Sequence, residues 1–595
     1  MEKYSRAEIE HAEAVVKVIE NDQRGFIKYR DSRPIINIKH MIETSCEKYS
    51  ENVAFHRKPY KGAPYEQIKY KQLLEDMNGL GTGLIDLGLK DKRIAIIGEN
   101  SYEWAIGYLS IVCGTGVVVP IDKELSKNEI RHIIEEAKVE AVIFSKKYEQ
   151  LFKELKAEEG SKLRVLINKQ LEEDSEDVYS FKKQLEKGKA LVTSGDKRFV
   201  DSPINRDEMG ILLFTSGTTG AAKGVMLSHG NIAEDLMVSP TVLKVNPWDI
   251  FFSVLPLHHT YECTCGFLMP IYKGASVAYC EGLKYITKNL GEIKPTMFLG
   301  VPAIFEKMYK KIWQNVRKQG KENLLKKVIK INNKTKKIGI DIGKIFFKDI
   351  LAVFGGNMRL MICGGAAINP EVLEGIQDFG IQALQGYGLT ECGPLGALNP
   401  DTAPVATSIG VEFPGIKVEI RDKNEDGIGE ICVNGGNVML GYYNMPEETA
   451  RVKKDGFFYT GDYGYMDEKG YIYITGRKKN VIITKNGKNV FPEELEFLIN
   501  LSPIVSESMV FEDENKDGDD TLIVANVVID KEGLEEFYGK DLPKERVEEL
   551  VNNIIEDINK EQPFYKKIKR IIVREEELMK NTSNKIVRVR EENKR

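Results

Sequence analysis

The run "ILLFTSGTTGAAKGVMLSHG", residues 211–230, places hydroxyls and glycines between two apolar stretches and ends its polar part on one lysine. Thr215, Ser216, Thr218 and Thr219 offer hydroxyl donors, and Lys223 adds a point charge. Gly217, Gly220 and Gly224 let backbone N–H groups curl inward as an anion nest. This is chemistry for gripping phosphate. Gly217 and Lys223 stand at the Walker spacing, yet Ala222 occupies the position that needs Gly, and Gly224 the position of the magnesium-binding Ser or Thr. After Lys223 the chain continues as "GVML", which reads as a strand, whereas a Walker loop opens into a helix whose N-terminus holds the anion. A different phosphate loop is therefore expected, the alternative being a polar Gly-rich turn between strands.

A nucleoside triphosphate held there needs partners elsewhere. "QGYGLTE", Gln385 to Glu391, offers Tyr387 as a flat surface for a purine between Gly386 and Gly388, Thr390 as a phosphate donor, and Glu391 as a hard oxygen ligand for Mg²⁺. "GGAA" brings Gly364, Gly365 and Ala366, whose small side chains let backbone approach a ring. "YTGD" suggests a turn followed by Asp462, a carboxylate able to accept from ribose hydroxyls. Arg477, in "TGRKK", and Lys585, in "NTSNKIVR", are cations near the start and end of the last domain. Taken singly, these residues read equally well as a core ring, a turn cap, a surface ion pair and a solvated basic tail.

The elements that must position these residues alternate. From Lys92 the order is strand ("RIAII"), helix (from Tyr102), strand ("VVVPI"), helix ("SKNEIRHIIEEAK") and strand ("VEAVIF"), and the alternation returns in "GASVAYC" to "TMFLG" and in "RLMICGG" to "IQALQGYG". The pattern predicts an α/β fold with doubly wound parallel sheets in a large N-terminal domain, residues 1–478. Ligands in such folds sit beyond the carboxyl ends of strands. Motif-bearing loops are expected there, after Phe214, Cys363 and Leu384. Past Val405 short strands and glycine turns suggest a β-rich subdomain over about 405–476. Residues 479–595 read as a small α+β domain opening on a hairpin, "VIITKNGKNV", with Asn486-Gly487 at its turn.

The 595 residues are 42% hydrophobic and 29% charged, a globular composition long enough for several domains, and the net charge of −5 gives no electrostatic case for nucleic acid. The first residues are charged throughout and lack the apolar core of a signal peptide, so a cytoplasmic protein is expected. The uncharged run from Trp104 to Ile121 is broken by glycines and Pro120 and reads as helix, turn and buried strand. Eight scattered cysteines fit neither a zinc pattern nor a disulfide framework, and no metal-ligand cluster is apparent around the adjacent His258 and His259.

In order along residues 70 to 590, "LLFTSGTTGAAKGVMLSHGN", "LPLHHTYE", "GGAA", "QGYGLTE", "GEICVNGGNVMLGYY", "YTGD", "GRKK" and "NKIVR" resemble the motifs of the adenylate-forming enzymes, the superfamily of acyl-CoA synthetases, luciferases and peptide-synthetase adenylation domains. The resemblance implies a carboxylate attacking the α-phosphate of ATP with loss of pyrophosphate, then a thiol displacing AMP. It implies that Thr215 to Lys223 grips the β- and γ-phosphates, Gly364 to Ala366 and Tyr387 the adenine, Thr390 the α-phosphate, Glu391 the Mg²⁺, and Asp462 and Arg477 the ribose. Lys585 matches the lysine bridging carboxylate and α-phosphate, and Lys479 falls at the family's hinge, about which the C-terminal domain moves. The residue before the catalytic lysine is usually Gly and is Asn584 here, the next-best residue for left-handed backbone.

"LPLHHTYE" looks like the long-chain fatty acyl-CoA synthetase form of its motif, with His259 as the gate of an acyl channel. An ATP-dependent ligase of long- or medium-chain fatty acids and CoA is expected. A fatty acyl-AMP ligase loading an acyl carrier protein is the alternative, and an acyl-binding membrane-associated scaffold the second. Lys310 to Ile350 carries thirteen Lys or Arg against three acidic residues, interleaved with apolar residues at helical spacing, where longer acyl-CoA synthetases have an insertion. It reads as a solvated helix pair with an apolar core face, or as a basic amphipathic surface for peripheral contact with anionic membrane.

Overall fold

The computed structural model describes residues 4–215, 222–336, 343–484, 488–513, 522–580, 586–588 and 591–594. These fall into two compact units, the first made of the described residues up to 215, 222–418 and 433–458, the second of 419–432 and the described residues from 459 onward. The second unit thus takes in part of the β-rich region together with the residues from 479 onward.

Two eight-stranded sheets build the first unit. In the first sheet, Met209–Thr215, Gly116–Ile121, Lys92–Ile97, Ala141–Phe144, Val165–Asn168 and Tyr179–Ser180 run parallel in that spatial order. Ile94 to Ile97 are fully buried, as expected of a parallel strand covered on both faces. Lys223–Ser228 returns antiparallel beside Met209–Thr215 with Thr215 opposite Lys223, so the strand expected after the lysine is present. Helices start on side-chain caps: Ser126 and Glu129 form a capping box for Lys127–Glu136, and Ser101 accepts from the Trp104 N–H at the start of Tyr102–Ser110.

The second sheet runs Leu395–Leu398, Gln382–Gly388, Leu360–Cys363, Met297–Gly300, Ile250–Ser253, Ser276–Tyr279, Val53–Arg57, Glu66–Lys69, antiparallel only at its two edges. Its amino edge is clamped by Asp249, fully buried. Its carboxylate accepts from the Asn246 N–H (2.7 Å), the Thr296 hydroxyl (2.8 Å) and Arg359 Nε (2.9 Å), so one anion ties the starts of three adjacent strands. A buried carboxylate is tolerable only with such donors, and removing one partner of a pair of this kind costs about 3–5 kcal/mol.

The basic segment forms helices Pro302–Lys318 and Glu322–Lys336, with Gly343–Phe346 and Lys348–Val353 beyond; residues 337–342 lie outside the described ones. Ile312, Leu325 and Phe347 enter the core over Phe298, Met361 and Ile376, which gives the segment the apolar core face anticipated for it. Among the described residues no helix is long and apolar enough to cross a membrane. Trp104 to Ile121 resolves into helix, a short π-helical turn and buried strand.

The strand Phe457–Met466, whose residues from Tyr459 belong to the second unit, pairs antiparallel with Ile472–Arg477. Ile482–Ile483 then pairs with Asn489–Val490 as the hairpin expected, its Asn486-Gly487 turn outside the described residues. A three-stranded sheet follows, Val505–Asp513, Leu522–Ile529 and Arg570–Arg574, with helices Pro492–Asn500 and Lys544–Glu561 closing a core around Val490, Leu495, Val510, Val527 and Val551.

Candidate active site

Thr215 ends the strand that leads into the phosphate-type loop and Lys223 begins the strand that leaves it; Ser216, Gly217, Thr218, Thr219 and Gly220 lie outside the described residues. Lys223 Nζ donates to Glu448 Oε2 at 2.8 Å and stands 5.0 Å from the centre of the Tyr442 ring. The same tyrosine's hydroxyl donates to Glu391 Oε1 at 2.8 Å. Lys223 and Glu391, far apart in sequence, are thereby set on one aromatic ring. Burial, with Glu391 next, pushes the Tyr442 phenol up, so it remains a donor. Glu391 is half-buried, and its second carboxylate oxygen has no partner among the described residues, which suits a hard cation.

A second layer holds this pair. Asn437 Nδ2 donates to Asp235 Oδ1 (2.9 Å) and to the carbonyls of Cys392 and Leu395 (2.8 Å each), pinning the turn that carries Thr390 and Glu391. The Met439 N–H donates to the Glu391 carbonyl at 2.8 Å, and the Tyr443 N–H to the Gly224 carbonyl at 2.7 Å. Neither Tyr442, Glu448 nor Asn437 carries a role in the sequence reading, although "GGNVMLGYY" holds two of them.

Gln385 to Gly388 lie within the strand Gln382–Gly388, not in a loop after Leu384, because Leu395–Leu398 folds back to pair with Gly386, Tyr387 and Gly388. A Cβ on Gly388 would sit 1.9 Å from the Pro394 carbonyl oxygen, and one on Gly396 2.8 Å from the Tyr387 ring. Gly364 and Gly365 do follow Leu360–Cys363 as expected. A Cβ on Gly364 would meet the Tyr261 ring at 3.0 Å, and Gly365 has φ +84°, so packing and backbone conformation already require these two glycines. Ala366 is exposed beside them.

In the second unit, Asp462 is a buried residue inside the strand Phe457–Met466, not the residue after a turn that its Thr-Gly setting suggests, since the strand continues through Gly461. It stands opposite Arg477, whose Nε lies 3.1 Å from Asp462 Oδ1. The Glu430 carboxylate accepts from the Gly461 N–H (3.0 Å) and Lys478 Nζ (2.6 Å), fixing the backbone on either side. Lys479 occupies the short 3₁₀ turn Lys478–Asn480. Lys585 lies outside the described residues. Three residues on, Arg588 is tied to the Glu496 carboxylate and to the Val510 carbonyl (3.0 Å), so the segment leaving Lys585 is anchored in its own unit.

Residues 42–443 match the family described as "AMP-binding enzyme". The chain belongs to this AMP-binding enzyme family. It is 30% identical to human long-chain-fatty-acid–CoA ligase 6 over 535 residues, covering 83% of this chain and 76% of that one. To long-chain-fatty-acid–CoA ligase 1 of Cavia porcellus it is 30% identical over 530 residues, covering 84% and 74%. In fold it resembles the anthranilate CoA ligase AuaEII in complex with anthranoyl-AMP (TM-score 0.73, 19% identity, 93% of this chain and 96% of that one). It also resembles ATP-bound MatB from Rhodopseudomonas palustris (TM-score 0.71, 24% identity, 93% and 97%). The α/β architecture of large parallel sheets with a smaller C-terminal unit is that of the adenylate-forming enzymes.

In this AMP-binding enzyme the "LPLHHTYE" segment buries His258 and Glu262, and His259 is half-buried beside them. His259 is not isolated from ligand-type residues, as the sequence alone suggests, because Asp122 of another sheet comes up to the histidine pair. Glu262 sits against Gly266, where a Cβ would come within 2.8 Å of the carboxyl carbon. Burial pushes the Glu262 carboxyl up to about 8, with the Ser253 hydroxyl opposing. An acid raised in the folded state contributes stability that is fully present below the unfolded value of 4.5 and is lost as pH rises to about 8. Glu262→Gln lacks this titration. Its stability relative to wild type should increase by ~1.4 kcal/mol per pH unit between about pH 5 and 8 and level off above, read from denaturant unfolding. Parallel profiles for the two proteins would show that Glu262 ionises normally.

Proposed function

We propose that the chain is an ATP-dependent fatty acid:CoA ligase. The observation that carries the reading is the pairing of Lys223 and Glu391 across the Tyr442 ring, a cation for phosphate and a carboxylate for its metal held at one place. The long-chain ligase relatives support a fatty acid as the acid. In the first half-reaction a carboxylate oxygen of the fatty acid attacks the α-phosphorus, the bond to the β-phosphate oxygen breaks, and pyrophosphate leaves. In the second the CoA sulfur attacks the acyl carbon, and AMP leaves with the anhydride oxygen. Thr215 to Lys223 takes the β- and γ-phosphates, with the triphosphate competing against Glu448 for Lys223. Gly364, Gly365, Ala366 and Tyr387 face the adenine, Thr390 the α-phosphate, and Asp462 and Arg477 the ribose. Lys585 stabilises the charge that spreads over the α-phosphate oxygens, Lys479 serves as the hinge, and His259 gates the acyl channel. Mg²⁺, when bound at Glu391, would neutralise phosphate charge.

Turnover over a panel of carboxylic acids, with CoA present or withheld, tests this. AMP, pyrophosphate and acyl-CoA should form with medium- and long-chain saturated acids. ADP as product, or turnover confined to acetate, aryl acids or amino acids, would overturn the reading. Acyl-AMP that moves to a carrier protein but not to CoA would reassign the acceptor.

Tyr442→Phe keeps the ring beneath Lys223 and removes only the hydrogen bond to Glu391. It should weaken Mg-ATP binding about tenfold, the effect of one bond to a charged group, and leave metal-free ATP binding unchanged in calorimetry. Equal losses with and without Mg²⁺ would deny Glu391 its role.

We also place this enzyme at the surface of anionic membrane through Glu322–Lys336. Leu324 (61% exposed) and Ile331 (52% exposed) project among Lys327, Lys330 and Lys334, an apolar and cationic face suited to an interface. Vesicles rich in phosphatidylserine should bind the protein, and added salt should release it, since exposed charge is screened over ~8 Å at physiological ionic strength. Changing Lys310, Lys311, Lys318, Lys327, Lys330 and Lys334 to Gln should abolish binding. Binding indifferent to both would leave a solvated helix pair.

A further inference from the structure

Asp122 follows the strand Gly116–Ile121, and His258 and His259 follow Ile250–Ser253, so the carboxyl edges of both sheets contribute to one small cluster. One ligand atom from each of these three residues lies within 4.8 Å of the other two. His258 Nε2 stands 3.6 Å from Asp122 Oδ2, beyond hydrogen-bond reach, and the two histidine rings are 4.1 Å apart. The His258 side chain is only 9% exposed, yet its Nε2 has no hydrogen-bond partner among the described residues. A buried ring nitrogen left in this way is unusual, because the lost hydrogen bond costs about 1–3 kcal/mol.

We propose that Asp122, His258 and His259 form a binding site for a divalent transition-metal ion of the zinc type. Two donors on a tetrahedral zinc, each ~2.0–2.1 Å from it, stand ~3.3 Å apart, close to the separation of His258 Nε2 and Asp122 Oδ2. The His259 ring nitrogen lies within 4.8 Å of the ligand atoms of both other residues. The donor set of two imidazoles and one carboxylate selects zinc or cobalt over magnesium and leaves a fourth position open. Support comes from behind the carboxylate, where Asp122 Oδ1 accepts from the Glu124 N–H at 2.9 Å and so turns Oδ2 toward His258. The neighbouring Lys123 charge opposes a bound cation and lowers the expected affinity. The site does not depend on the ligase reading. If His259 also gates an acyl channel, the ion would fix the gate ring and make acid entry metal-sensitive.

Cobalt reports on the site independently of turnover. Chelator-treated full-length protein titrated with Co²⁺ should develop the strong visible absorption of a tetrahedral ion at one equivalent, and Zn²⁺ should abolish it while millimolar Mg²⁺ does not. His258→Gln and Asp122→Asn, the latter keeping the Glu124 contact, should each weaken the cobalt signal at least ~tenfold with an unchanged circular dichroism spectrum. No tetrahedral absorption in the wild type would overturn the proposal. So would a signal that survives in a folded variant of either kind, which would place the cobalt on another group such as a cysteine.

Discussion

The segment from Gly436 to Tyr443 laces the two sheets of the first unit together, and the placement of Lys223 and Glu391 depends on it. On one side it pairs with the strand Lys223–Ser228, Tyr442 standing opposite Val225 and the Leu440 N–H donating to the Met226 carbonyl at 2.9 Å. On the other, Asn437 and the Met439 N–H hold the turn from Glu391 to Leu395. Asn231 closes the lacing by donating to the carbonyls of Gly436 (2.6 Å) and Val438 (3.0 Å). These groups are largely buried, and each carbonyl left without its donor would cost about 1–3 kcal/mol, more than a surface ion pair returns. A hydrogen-bonded strap, and not the charges themselves, therefore fixes the distance between Lys223 and Glu391.

The charges then find counterions close by. Lys223 has Glu448, Arg477 has Asp462, and Lys478 has Glu430. An anion arriving at Lys223 meets a carboxylate already in place, not bare water. Lys223 is suited to such exchange because both it and Glu448 keep some access to solvent, so neither is stranded when they part.

Much of this was legible in the sequence because it is local. The strand after Lys223, the helix from Lys127, the alternation of elements and the hairpin at 482–490 follow from period and turn residues over short spans. What escaped is non-local. Nothing near Asp462 says that Phe457–Met466 runs through its glycine, because the pairing partner, Ile472–Arg477, decides that. Gly386 to Gly388 read as loop for the same reason until Leu395–Leu398 is seen to pair with them. Tyr442 and Glu448 gain significance only through Lys223, more than two hundred residues away, and Asp122 only through His258. The glycines of "GGAA" carry a further lesson. A small residue beside a binding motif suggests close approach of a ligand, but Gly364 is also required by the Tyr261 ring behind it.

The first unit divides its work between the two edges of its sheets. At the amino edge of the second sheet Asp249 gathers Asn246, Thr296 and Arg359, and the reward is rigidity, since its oxygens are committed to donors of the protein itself. At the carboxyl edges the polar groups are less fully satisfied. Thr215 ends one strand, Asp122 follows the strand beside it, and His258, Gly364 and Glu391 lie beyond strands of the second sheet. There, one oxygen of Glu391 and the Nε2 of His258 have no hydrogen-bond partner among the described residues. In parallel strands the connections leave from the carboxyl ends, so that edge can vary its residues without disturbing the ladder, and it can leave donors and acceptors for something other than the protein. The committed carboxylate at one edge makes the uncommitted groups at the other affordable, because strands held in register at their starts keep their ends in place while unpaired polar groups wait for a partner.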